Sequence, residues 1–96
     1  MPHVPSKASF PQELTTRFLS ACKAAGGSAA KCECVLDRQE LRPIENRKVE
    51  KGQAIAELFV LELAMSGRGV TLRAAMNHAV SLPLGLRGTL EACKSA

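Results

Sequence analysis

The sequence has no tryptophan, no tyrosine and only three phenylalanines. Leucine and alanine carry its apolar content instead, which favours close-packed helices over strands. It has no internal repeat and no low-complexity tract. It has no basic tail: residues 1–44 and 45–96 each carry a net +2, six basic against four acidic residues and then seven against five. A total of +4 suits solubility and gives little support for nucleic-acid binding. No stretch is long and apolar enough to span a bilayer, since the most apolar run, residues 54–65, is interrupted by Glu57 and Glu62.

The first seven residues, MPHVPSK, contain no apolar run of the kind that marks a secretory leader. Four cysteines in 96 residues nevertheless read as two structural disulfides. We therefore read the chain as a mature exported form whose leader has been removed. A chain this short buries only about 60–65% of the surface its unfolded form exposes, so cross-links would help its core.

Residues 1–8 hold two prolines without periodicity and read as a flexible lead-in; residues 9–96 read as a single helical domain. Ser9-Phe10-Pro11-Gln12 resembles a capped helix start. Leu14, Phe18, Ala21, Cys22 and Ala25 then recur at helical spacing until Gly26-Gly27. Ser28 can cap a second helix with Ala29, Cys32, Val35, Leu36 and Gln39 on one face and Asp37, Arg38 and Glu40 in solvent. Pro43 is expected to limit it, and residues 44–52 to form a charged loop. From Gln53 to Ser66 the sequence is apolar nearly all round, the mark of a helix at the centre of a bundle. Gly67-Arg68-Gly69 ends it. Thr71 can cap a fourth helix with Leu72, Ala75, Met76, Ala79 and Val80 as its stripe. After Pro83 and Gly85, a short last helix carries Leu86, Leu90 and Cys93. The expected fold is all-α, a bundle of four to five short helices stapled by two disulfides.

The cysteine spacing suggests a pairing. In an antiparallel hairpin turning at Gly27, Cys22 and Cys32 lie five residues either side of the turn and face each other within disulfide reach. Cys34 lies about 200° round the second helix from Cys32, which leaves Cys93 as its partner. The long loop of the Cys34–Cys93 pairing is worth about 4 kcal/mol in the chain-entropy model and the short one about 2–3 kcal/mol. The swapped arrangement, Cys22–Cys34 with Cys32–Cys93, stays open because helix ends adjust. Zinc fits less well: Cys32-Glu33-Cys34 has one intervening residue where zinc pairs take two to four, and His3 and His78 have no evident place in a site. Thiol redox catalysis expects C-x-x-C. The twin C-x9-C hairpins of mitochondrial import substrates need two such pairs, and Gly26-Gly27 breaks the one here. No metal or cofactor site is expected.

Phe10-Pro11, Phe18-Leu19, Ala21-Cys22, Gly26-Gly27, Cys32-Glu33-Cys34, Leu36 and Glu40 together resemble a class of small, often actinobacterial, extracytoplasmic four-cysteine helical proteins without an assigned function. The likeness covers residues 10–40, and Cys93 loosely; residues 44–88 match no pattern of that class. It implies a helical, disulfide-stapled protein that is secreted or membrane-anchored, and it implies no activity.

Other signals are weaker. Residues 64–80 faintly resemble a helix-turn-helix, with Arg73, Asn77 and His78 on a recognition segment from Thr71 to Val80; the turn is about one residue too long. Glu57 and Glu62 could suggest acid–base chemistry, but positions five apart lie about 140° from each other and cannot share one small site. Each is expected at the surface or paired with a Lys or Arg. Arg42, Arg47, Lys48 and Lys51, interleaved with Glu45 and Glu50, read as a solvated loop, with an anionic envelope surface as the alternative. The sequence-level expectation is a non-enzymatic extracytoplasmic module with a protein or cell-envelope partner, the alternative being a cytosolic nucleic-acid binder using Thr71–Val80.

Overall fold

A computed structural model describes residues 8–96. Most of the lead-in expected at residues 1–8 therefore lies outside the described residues. Among those described there are five helices and no strand: α1 Gln12–Ala24, α2 Ala29–Glu45, α3 Lys51–Arg68, α4 Leu72–Met76 and α5 Leu84–Ala92. The protein is all-α with two disulfides.

Where a polar residue can satisfy the first free N–H groups, a helix starts there. Ser28 Oγ accepts from Lys31 N at 3.1 Å, and Thr71 Oγ1 from Ala74 N at 3.1 Å. Ser9 does not play this part: α1 begins at Gln12 behind Pro11, with no side-chain cap. At the α1–α2 turn Gly26 takes φ +88°, and Gly27 lies where a Cβ would stand 2.7 Å from both Cys32 Sγ and Leu72 Cδ2. The turn is tight, and α4 packs directly onto it; Leu72 N donates to Ala25 O at 3.1 Å.

Pro43 does not stop α2, which runs two residues further to Glu45. The ring removes one hydrogen bond near the end of the helix, where few remain to be lost. The loop before α3 is accordingly only residues 46–50. α3 is longer than the Gln53–Ser66 expected, and Gly67 lies inside it; it ends at Gly69 in the left-handed conformation, with Val70 N donating to Ala64 O at 3.0 Å. α4 is shorter than expected. It stops at Met76, so Ala79 and Val80 lie beyond it, and Leu82 takes up the core position instead.

α3 packs against α1, α2 and α5. Phe18, Val35, Leu58, Leu61, Leu72, Leu86 and Leu90 form the core around it with the disulfides. It is not buried on every side, however: Phe59, Val60 and Leu63 stand about 40% exposed on its outer face.

Candidate functional site

Cys22 is bonded to Cys32 with their Cα atoms 5.9 Å apart, and Cys34 to Cys93 with 5.8 Å. Cys22, Cys32 and Cys93 are fully buried, and no cysteine is free. The first bridge closes the α1–α2 turn; the second ties α5 to α2. Lys31 Nζ also donates to the carbonyls of Lys94 and Ala96, at 2.9 and 3.0 Å.

The two glutamates of α3 are both buried, at 6% and 3% exposure, and each finds an arginine on a different helix. Glu57 is held by Arg42, which leaves the solvated basic cluster where the sequence placed it and points inward from α2. Gln39 Nε2 donates to Glu57 Oε1 and to Ala54 O, each at 3.1 Å. Thr89 Oγ1 of α5 donates to Gln39 Oε1 at 2.6 Å. α5 crosses here at Gly85, where a Cβ would run into Arg42 Nη2 and Glu57 Oε2. The result is a buried polar knot between α2, α3 and α5 in which Glu57 and Gln39 are both engaged. Burial pulls the Arg42 pKa below its usual value, and the guanidinium remains charged at neutral pH.

Glu62 is arranged differently. Its Oε1 lies 3.5 Å from Nη2 of Arg17 on α1, and the Arg17 side chain is 54% exposed. Its Oε2 is buried and accepts no hydrogen bond. The residue lines a groove of about 900 Å³ between α1 and the α3–α4 junction. The walls are made of small residues, among them Ser20, Ala24, Ala25, Ser66 and Gly69, with Met65 and Val70 supplying apolar surface.

Glu40, expected in solvent, is 7% exposed. The segment before α1 crosses over it: Ala8 N donates to Glu40 O at 2.7 Å and Phe10 N to Glu40 Oε2 at 3.3 Å. Of the helix-turn-helix candidates, Arg73 lies exposed on the five-residue α4, Asn77 is its C-cap and His78 adopts φ +57° beyond it. His78 Nε2 stands 3.4 Å from Glu91 Oε2. Arg47, Lys48 and Lys51 are exposed.

Among the described residues no helix is long and apolar enough to cross a membrane, and no three His, Cys, Asp or Glu side chains are grouped to hold a metal ion. Gln39, Thr89, Gly85 and Arg17 were not singled out as site residues by the sequence. Only Gln39 left a trace there, as the one polar member of an apolar stripe. Comparison with known proteins finds no matching family model, no matching curated protein and no matching solved structure.

Proposed function

We propose that this protein is a non-enzymatic, exported module that acts outside the reducing cytoplasm through contact with a protein or cell-envelope partner. The observation that carries this reading is the use of all four cysteines in two disulfides, which fits an oxidising environment. The likeness of residues 10–40 to small extracytoplasmic four-cysteine proteins points the same way. The binding role draws on the outer face of α3, where Leu63 lies four residues after Phe59 and three after Val60, so that the three form one apolar patch. The non-enzymatic part rests on the carboxylates. Glu57 is occupied by Arg42 and Gln39, Glu62 faces Arg17, and the two serve different helix pairs, so they do not form an acid–base couple. For nucleic-acid binding the candidate reader is α4, whose five residues span only about 7 Å.

Fractionation of the native cell tests the compartment. Recovery from the medium or envelope, with no thiol reactive in the unfolded, unreduced protein, is the expected result. Recovery from the cytoplasm with four reactive thiols would end the proposal.

A further inference from the structure

Two features of the Glu62 groove stand apart from the packing around it. The first is an unpartnered acceptor. A carboxylate oxygen taken out of water without a donor is destabilising, and a ligand donor would restore what folding removed. The second is the field. The last turns of α1 and α3 both end at the groove, at Ala24–Gly26 and Ser66–Gly69, and bring the negative ends of two helix dipoles to it, offset in part by Lys23 and Arg68 in the same turns but outside the groove walls. Arg17 and Glu62 are the only charged residues on its walls, and the exposed arginine is free to swing into solvent.

We propose that this groove binds a primary alkylammonium group, whose N–H donors engage the Glu62 carboxylate in place of Arg17 while its alkyl stem lies along Ala21, Met65 and Val70. The volume suits a small ligand or a single long side chain. A primary ammonium fits better than a quaternary one, because the Glu62 carboxylate, once Arg17 swings aside, offers hydrogen-bond acceptors and not charge alone. The inference stands apart from the exported role and holds whichever compartment the protein occupies. A net charge of +4 disfavours general accumulation of cations, so saturable binding would report a local site.

The test is an NMR titration of the disulfide-intact protein with n-butylammonium chloride, with tetramethylammonium chloride as a cation that lacks N–H donors. We expect saturable shifts at the Glu62 carboxyl carbon and at the amides of Ala25, Ser66 and Val70. Affinity should fall about tenfold or more for tetramethylammonium and in Glu62→Gln, the scale of a lost hydrogen bond to a charged group. It should rise in Arg17→Gln, which removes the competing cation. Should Glu62→Gln fail to fold, Ser20→Phe fills the groove from its exposed rim and should abolish binding. N-acetyl-lysine amide separates the sources of such a group: binding extends the site to lysine side chains, and its absence assigns the site to free amines. Shifts that do not saturate, that are equal for the two cations, or that persist in Glu62→Gln or Ser20→Phe would overturn the proposal.

Discussion

Glu57 and Glu62 lie five residues apart on one helix, are nearly equally buried, and each faces an arginine. Their surroundings nevertheless differ in kind. Glu57 is enclosed by three helices, its arginine is mostly buried, and Gln39 and Thr89 complete the polar set. Glu62 is touched by one half-exposed arginine and keeps an oxygen without a donor. A buried charge whose hydrogen bonds are complete fixes the register of the helices around it; one left incomplete is open to a ligand.

The largest expected effect comes from removing the two arginines in turn. Arg42→Ala leaves Glu57 without a counter-ion in the knot and should lower stability by about 3–5 kcal/mol. Arg17→Ala removes a partner that is itself half in water and lets solvent reach Glu62, so it should cost less, about 1 kcal/mol. Urea denaturation of the two variants measures both, and equal losses would erase the distinction between the glutamates.

The disulfides sharpen the same contrast, because each guards one side. Cys34–Cys93 holds α5, which brings Thr89 and Gly85 to the Glu57 knot; Cys22–Cys32 holds the turn at the end of the Glu62 groove. α5 has nine residues, too few for a stable isolated helix. Replacing Cys34 and Cys93 by alanine should lower stability by about 2–4 kcal/mol and release amide protection over residues 84–96. Replacing Cys22 and Cys32 should cost about 1–2 kcal/mol less on the loop-length scale. Thermal melts with hydrogen exchange would rank them, and the reverse order would mean that the groove side, not the knot, closes the fold.

The smallest effect belongs to a third glutamate that supplies the exposed limit of the comparison. Glu91 is held below its ordinary pKa first by a hydrogen bond from Lys94, then by the charge of Lys94, and then by a hydrogen bond from His78. A carboxylate with a depressed pKa adds its stabilisation above its unfolded pKa and loses it as pH falls through the folded value. Lys94→Ala should therefore raise the Glu91 pKa toward the ordinary range in a carbon-detected titration, with no measurable change in melting at neutral pH. An unmoved pKa would show that the pair does not hold in solution.

The helices were legible because their signals are local. Leucine and alanine at helical spacing, Ser28 and Thr71 at helix starts and the Gly26-Gly27 turn announce an all-α chain before any contact is known. What sequence could not show is non-local or comes from packing that overrides propensity. Pro43 reads as a stop, but α2 carries past it to Glu45. Glu40 reads as solvated because it falls on the polar side of α2; the aperiodic segment at Ala8 and Phe10 covers it. Arg42 sits among exposed lysines and arginines in sequence, and only the approach of α3 from fifteen residues away turns it inward. The expectation that Glu57 and Glu62 cannot share a site followed from helix geometry alone. The missing donor at Glu62 Oε2 is a property of what surrounds it, and no pattern in the chain encodes it.

The sequence separations of the two bridges, 10 and 59 residues, also set a timetable. For any chain that enters an oxidising medium N-terminus first, Cys22 would meet Cys32 and Cys34 almost together, while Cys93 is still to come. Cys32 and Cys34 compete for Cys22 throughout that interval. The tight Gly26-Gly27 hairpin brings Cys32, not Cys34, opposite the waiting thiol, and a short loop closes with less entropy loss than a long one. On that route the turn would act in time as well as in space: it would occupy Cys32 early and leave Cys34 as the one thiol available when the last cysteine arrives.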